Sequence, residues 1–185
     1  SANGNEYNIN FWIYVNDYNV GKDKDKCILF KGATRSDAIS DSKSDDVTYS
    51  NPSVWLLSGV NTLRVVVGIE TNYKSAGCPT AGAVAVTEEE CTQPVKNKDV
   101  CDIEHFPLQR WVNVNITLHD NVIDVFFDGK LKKSTILKGF PITTTGSMFI
   151  CPNNGFNGYI SNLKYSNSAV NVSNIVKMYK NGPTL

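Results

Sequence analysis

The stretch Arg110–Lys130, RWVNVNITLHDNVIDVFFDGK, has the pattern of two antiparallel strands joined by a tight turn. Apolar and polar residues alternate along its first half, which is the two-residue period of a strand with one buried face. The second strand, Val122–Asp128, follows the polar turn His119–Asn121 and ends at Asp128-Gly129, a pair suited to another tight turn. Because a lone hairpin is barely stable in water, its apolar face predicts a second sheet packed against it. We therefore expect a β-sandwich with this hairpin near the middle of one sheet.

Short strands separated by turn residues recur along the rest of the chain. Two long polar stretches, 33–50 and 70–102, predict surface loops. Near the end, Ser173 is a candidate N-cap for a short helix that stops at Gly182-Pro183. The fold class predicted is all-β, a two-sheet antiparallel jelly roll with a short C-terminal helix, as a single domain spanning residues 1–185. The other predicted strands are Asn8–Val15, Cys27–Lys31, Ser53–Leu57, Thr62–Gly68, Ser134–Leu137, Ser147–Cys151 and Phe156–Ser166.

The composition indicates a folded module without a nucleic-acid partner. The chain has 185 residues, of which 41% are hydrophobic, so it can bury a substantial core. Lys plus Arg total 18 and Asp plus Glu total 18, a balance that argues against electrostatic binding of nucleic acid. No apolar run approaches the roughly 18 residues of a membrane-spanning helix, so we expect no membrane insertion.

The five cysteines leave both disulfides and buried thiols open. They contain no CxxC pair, and only His105 and His119 could supplement them, which argues against a zinc site. Cys27 and Cys151 each adjoin an apolar strand and would meet if those strands are neighbours. The other three fall in one irregular stretch that a bridge would staple. We expect at least one disulfide among Cys27, Cys78, Cys91, Cys101 and Cys151.

Three segments together resemble a concanavalin A-like, laminin G-like jelly roll. They are an aromatic opening strand at 11–15, the sequence Trp111-Val112-Asn113 leading to Phe127-Asp128-Gly129-Lys130, and Gly155–Tyr165 before a terminal helix. Phe126-Phe127 stands where Tyr-Val is usual. The segments 51–56, 107–113 and 152–156 further resemble a subgroup of such domains encoded by large DNA viruses and some protists. The resemblance implies a two-sheet sandwich that binds glycan or protein, in some members with calcium.

The same architecture hosts glycoside hydrolases, which need two carboxylates facing each other across a cleft. The nearest string is Asp102-Ile103-Glu104, which lacks a third acid at strand spacing. Asp124 and Asp128 share a face, but the turn with Gly129 explains Asp128. Neither histidine lies in a nucleophile motif. We therefore predict no catalytic residue and no enzymatic activity.

A candidate ligand face combines aromatic rings with amides on the non-core sides of three strands. Sugars stack their C–H faces on aromatic rings while amides and carboxylates bind the hydroxyls. The alternative is that Trp12 and Trp111 are covered by loops and extend the core. Loops at the sandwich rim are further candidates. The predicted ligand-binding residues are Trp12, Tyr14, Trp111, Asn113, Asn115, Asp124, Phe126, Asn153 and Asn154.

Calcium and N-glycans are two further possibilities. Calcium takes hard oxygen ligands, and Asp37, Asp41, Asp45 and Asp46 lie in one loop, although an acidic loop can equally be only solvated. The identity of any metal ligand stays open. Sequons occur at Asn115 and Asn171 and would be used on a secretory route. A glycan on Asn115 would block the candidate face.

These observations predict a non-enzymatic binding module on a virion or cell surface that recognises glycan or protein. The alternative is a structural domain that assembles into a virus particle or larger complex. Exposed strand edges or an apolar patch would favour assembly. A shallow groove with exposed Trp or Tyr would favour sugar.

Overall fold

The structure, a computed structural model, describes residues 6–32, 44, 50–74, 92–152 and 155–184. These residues form two antiparallel sheets and a short C-terminal helix, as the sequence predicted. Within the described ranges, no helix is long and apolar enough to cross a membrane. The elements are β1 (Tyr7–Val15), β2 (Lys26–Lys31), β3 (Ser53–Leu56), β4 (Thr62–Lys74), β5 (Thr92–Glu104), β6 (Trp111–His119), β7 (Val122–Phe127), β8 (Lys130–Ile136), β9 (Phe140–Pro141), β10 (Met148–Ile150), β11 (Gly158–Ser166) and α1 (Val172–Lys180).

The hairpin β6–β7 lies in the middle of the first sheet, whose strand order is β11-β1-β6-β7-β8. Its register runs from Val114 opposite Phe127 to His119 opposite Val122. The next turn, between β7 and β8, has positive φ at both Asp128 (51°) and Gly129 (74°). Two consecutive residues with positive φ are the requirement of a type I′ turn, whose twist matches the strands it joins. Both predicted turns are confirmed.

The second sheet has the order β10-β2-β3-β4-β5, and β9 pairs with β4 off this path. The prediction of an irregular stretch over 70–102 is wrong at both of its ends. Strands β4 and β5 pair continuously from Thr62 opposite Glu104 to Lys74 opposite Thr92. An antiparallel ladder is held by backbone hydrogen bonds, so it can continue where the side chains show no apolar alternation. The predicted loop over 33–50 lies almost wholly outside the described residues, as do residues 75–91.

The core lies between the two sheets and is built from alternate residues of each strand. The apolar face of β6, namely Val112, Val114, Ile116 and Leu118, is completely buried. Phe106 meets Phe127 edge to face, with ring centroids 5.3 Å apart. Burial of apolar surface is the main favourable term in folding, so this layer holds the sheets together.

Helix α1 covers part of the outer face of the first sheet. Its N-cap is Asn171, whose side chain accepts a hydrogen bond from the backbone N–H of Asn174 at 2.9 Å, so the predicted cap at Ser173 is wrong. The helix buries Ile175, and its Tyr179 stacks on Trp12 with centroids 5.7 Å apart. The outer face of this sheet is therefore divided into a covered part and an open part.

Truncation of a central core residue should weaken the fold far more than the same change at an edge. Ile116→Ala leaves a cavity between the sheets and should lower the free energy of unfolding by about 2–5 kcal/mol. Ile136 lies on the edge strand and is 72% exposed, so Ile136→Ala should cost less than about 0.5 kcal/mol. Urea unfolding measures both, and equal losses would contradict the assignment of the core.

Candidate ligand-binding groove

An aromatic groove of about 500 Å³ lies on the first sheet. It is built on Tyr14, which is directly opposite Trp111 on β6 and Tyr159 on β11. The ring of Tyr14 lies 5.7 Å from that of Trp111 and 6.4 Å from that of Tyr159, centroid to centroid. Tyr159 is 61% exposed, and the other two rings are half-buried. Strand register therefore places three aromatic side chains in one row across three neighbouring strands.

Three polar residues and one isoleucine form the rest of the groove. The lining residues besides the three rings are Asn16, Ile160, Ser161 and Thr184. Ser161 Oγ donates a hydrogen bond to the carbonyl of Thr184 at 2.7 Å, and Asn162 Nδ2 donates to the carbonyl of Gly182 at 3.0 Å. These bonds fasten the segment 182–184 across β11, where it provides one side of the groove.

Such a groove can bind a ligand that is apolar on one face and carries hydroxyl groups. Tyrosine and tryptophan offer a large apolar ring surface together with an O–H or N–H group. Beside the rings, the Asn16 side-chain amide supplies donors and an acceptor. The Ser161 oxygen, whose proton is donated to Thr184, can accept one more hydrogen bond. Because the rings stand on hydrogen-bonded strands, little backbone reorganisation is needed before a ligand is bound.

Two of the residues predicted for ligand contact, Tyr14 and Trp111, lie in this groove. The sequence prediction did not include Tyr159, Asn16, Ser161 or Thr184. Tyr159 is the second residue of β11 and alternates with Ile160, so its outward direction could have been read from the strand period. Thr184 lines the groove because of the path that the chain takes after the helix. No sequence pattern indicates that path.

The other predicted face residues on β1, β6 and β7 are not at the open surface. Trp12 is 6% exposed beneath Tyr179, and Asn113, Asn115 and Phe126 are buried as well. These four side chains are therefore covered in the structure, and helix α1 packs over Trp12 and Asn115. Asp124, opposite Thr117, is half-buried.

Below the helix, the buried amides form a network of hydrogen bonds. Asn8 Nδ2 donates to Asn115 Oδ1 at 2.8 Å and to Thr117 Oγ1 at 2.7 Å. Asn113 Nδ2 donates to Asn10 Oδ1 at 3.2 Å. A buried amide is stable only when it is hydrogen-bonded, so these residues serve the pairing of β1 with β6. Asn8 lies directly opposite Thr117 in the ladder, whereas the pairs Asn8–Asn115 and Asn10–Asn113 are diagonal neighbours on the same face.

Asp102 and Asp128, two of the carboxylates considered for hydrolysis, have structural partners. Asp102 accepts hydrogen bonds from Nε and Nη2 of Arg64, both at 2.7 Å. Asp128 accepts from the backbone N–H of Asn113 at 3.0 Å and pairs with Arg110 at 2.8 Å. Charge-assisted hydrogen bonds of this kind hold a carboxylate in place. Neither arrangement is the facing pair of carboxylates that glycoside hydrolysis requires.

The candidate calcium ligands Asp37, Asp41, Asp45 and Asp46 lie outside the described residues, as do Asn153 and Asn154. Within the described part, one group of potential metal ligands comes together: Glu6, His119 and Asp120. Glu6 Oε1 lies 2.8 Å from His119 Nδ1, which is an ion pair when the histidine is protonated. This group stands at the end of β1 and β6 remote from the groove.

The described cysteines, Cys27, Cys101 and Cys151, are free thiols. The expected disulfide is therefore not formed among them, and Cys78 and Cys91 lie outside the described residues. The predicted neighbourhood of two strands does exist, because Ile150 of β10 is opposite Leu29 of β2.

No protein-family model and no curated protein matches this sequence. Solved structures do match its fold. The receptor-binding domain of botulinum neurotoxin C/D mosaic serotype is 10% identical, with a TM-score of 0.59 over 95% of this chain and 36% of that one. The botulinum neurotoxin serotype G binding domain is 13% identical, with a TM-score of 0.57 over 96% and 36%.

A third match is the botulinum neurotoxin serotype D ligand-binding domain in complex with N-acetylneuraminic acid. It is 11% identical, with a TM-score of 0.57 over 95% of this chain and 36% of that one. The present chain thus spans little more than a third of these domains. At such low identity the likeness shows the fold, a jelly-roll-like β-sandwich. The laminin G-like resemblance and its viral subgroup stay predictions.

The two face tryptophans should respond differently to truncation. Trp12→Ala removes a buried ring stacked on Tyr179 and should lower the free energy of unfolding by about 3–5 kcal/mol. Trp111→Ala removes a half-buried ring at the groove and should cost clearly less. Chemical denaturation of both variants measures the difference. A larger loss at Trp111 would contradict the division of this face by helix α1.

The two sequons also differ in access. Asn115 is completely buried, whereas Asn171 is exposed and its Oδ1 alone is used as the helix cap. A glycan on Asn115 is incompatible with the fold, so protein secreted from a eukaryotic host should carry a glycan at Asn171 only. Treatment with a glycosidase should lower the mass of the wild-type protein. Asn171→Gln should abolish this loss of mass, and Asn115→Gln should leave it unchanged. Glycosylated Asn115 in folded, secreted protein would contradict this expectation.

Proposed function

We propose that the protein is a non-enzymatic binding module that recognises a glycan through the groove at Tyr14, Trp111 and Tyr159, and that a cell or virion surface presents it. The observation that carries the proposal is the row of three rings on three paired strands. Such a row offers a long, rigid platform for the C–H faces of a sugar. Exposed aromatic rings in a concave site are otherwise unfavourable in water, which supports a binding role.

The roles within the site follow from exposure. Tyr159 is the most exposed ring and would form the main stacking surface, while Tyr14 and Trp111 shape the floor. Ser161 and Asn16 would bind hydroxyl groups at the rim. A ligand held by a few stacked rings and hydrogen bonds gains its affinity from a small number of central contacts.

The structural neighbours support the proposal in a general way. They are named as receptor-binding domains of neurotoxins, and one is in complex with N-acetylneuraminic acid. The fold thus occurs in proteins that bind receptors and sugar. Since this chain covers 36% of those domains, the position of that sugar is not carried over to the groove.

A second candidate function is assembly into a larger particle. It is favoured by the edge strand β8, where Leu131 is 54% exposed and Ile136 is 72% exposed. The same strand carries Lys130, Lys132 and Lys133, and lysines at a sheet edge oppose pairing with another chain. These lysines count against assembly, whereas no lining residue of the groove counts against glycan binding. We therefore rank glycan binding first.

A glycan array run with calcium and with a chelator tests the proposed function. Binding of one class of glycan should be lost by about tenfold or more in Tyr159→Ala and Trp111→Ala, because each removes a stacking surface. Phe140→Ala is the matched control, since Phe140 is 70% exposed on β9 and is not a lining residue of the groove. Circular dichroism of all three variants should match the wild type.

Two outcomes would overturn the proposal. One is the absence of binding to any glycan together with concentration-dependent self-association in sedimentation. The other is glycan binding that Tyr159→Ala leaves intact, which would place the site elsewhere.

A further inference from the structure

We propose that Cys27 and Cys151 form a thiol pair that a small-molecule disulfide converts into an intramolecular disulfide, joining the edge strand β10 to β2. The probe is oxidised glutathione. Both residues are free thiols in the structure. This inference concerns the second sheet and is independent of the proposed glycan groove.

Strand pairing brings the two residues together. Strand β10 pairs with β2 so that Met148 is opposite Lys31 and Ile150 is opposite Leu29. The pairing continues one residue further, because the backbone N–H of Cys151 donates to the carbonyl of Ile28 at 2.9 Å. Cys27 precedes Ile28, and the register of β2 against β3 shifts between Cys27 and Leu29. Because of this irregularity, Cys27 packs on the same side of the sheet as Phe30, while Ile28 and Leu29 both face the main core.

The spacing of a diagonal pair suits a disulfide. Paired strands lie about 4.8 Å apart and each residue advances about 3.4 Å, so diagonal neighbours have Cα atoms roughly 6 Å apart. Disulfides span Cα separations of about 4.4–6.8 Å. The backbone spacing at this position is therefore compatible with a disulfide between β10 and β2.

The two sulfur atoms also belong to one side of the sheet. Cys27 packs with Phe30, Trp55 and Val66 in a small apolar cluster outside the main core, and Phe149 of β10 packs against the same cluster. Cys151 follows Phe149 by two residues, which is the period of one strand face. Burial raises the pKa of the Cys27 thiol, and the adjacent Cys151 raises it further. The two groups are thus close enough for the charge on one to disfavour the charge on the other.

Access decides the order of the reaction. Cys151 is partly exposed, whereas Cys27 is buried. The Cys151 thiolate attacks one sulfur of oxidised glutathione, forms a mixed disulfide and releases one glutathione thiolate. Cys27 then loses its proton to solvent, its thiolate attacks the sulfur of Cys151, and the second glutathione leaves. Two thiols are oxidised to one disulfide, and one glutathione disulfide is reduced to two thiols.

Burial also raises the pKa of Cys151, so few thiolates are present at neutral pH. The reaction should be slow there and faster in mild base. We expect the pair to persist as thiols in a reducing compartment and to be bridged after long exposure to an oxidising one.

Peptide mapping of the wild-type protein tests the proposal. The protein is incubated with oxidised glutathione at about pH 8.5, where more of each thiol is ionised, then alkylated and digested with trypsin without reduction. Cleavage places Cys27 in peptide 27–31, Cys151 in 139–164, Cys101 in 99–110, and both Cys78 and Cys91 in 75–96. The expected product is peptide 27–31 linked to 139–164, which separates on reduction.

Matched variants check the assignment. Cys151→Ser should abolish the linked peptide, and Cys101→Ser, which removes another buried thiol, should leave it intact. Three results would overturn the proposal: a stable mixed disulfide on Cys151 without closure, a link from Cys27 to a different cysteine, or full alkylation of both thiols after oxidation. The wild-type map alone decides among these, so a variant that fails to fold does not weaken the test.

Discussion

The hydrogen-bonded pairing of β1 with β6 is the constraint on which the rest of the structure depends. It runs in one register from Tyr7 opposite Leu118 to Tyr14 opposite Trp111. On the inner side this register aligns the apolar residues that form half of the core. On the outer side it aligns Asn8 with Thr117 and Asn10 with Asn115, where buried amides bond across the strands. A slip of one residue would exchange the two faces, so core and groove would be lost together.

Helix α1 divides the outer face of the first sheet into a covered part and an open part. Where it packs, side chains that alternate outward are buried, and Trp12 becomes a stacking partner for Tyr179. Beyond the helix the same strands carry Tyr14 and Trp111 at an open groove. Two tryptophans with equivalent positions in the strand pattern thus have different surroundings, because only one of them lies under the helix.

Much of the fold and part of the candidate groove could be predicted from the local sequence pattern. The alternation in β6 and the Asp128-Gly129 turn predict a central hairpin, since strand period and type I′ geometry depend on neighbouring residues only. The long pairing of β4 with β5 was missed because its outer part is polar and is held by backbone bonds that leave no side-chain pattern. In the site, Tyr14 and Trp111 were predicted. Tyr159 was not, because β11 joins β1 from a distant part of the chain.

The sequence by itself determined which side chains point inward and which outward along each strand, because that alternation follows from the geometry of an extended chain. It also determined the turns, which require residues that tolerate positive φ. Only the tertiary structure decided which outward residues meet water. That depends on where helix α1 and the segment 182–184 pack, and a packing surface is set by contacts between residues far apart in the chain. For the same reason, the neighbourhood of Cys27 and Cys151 became definite only when β10 was found beside β2.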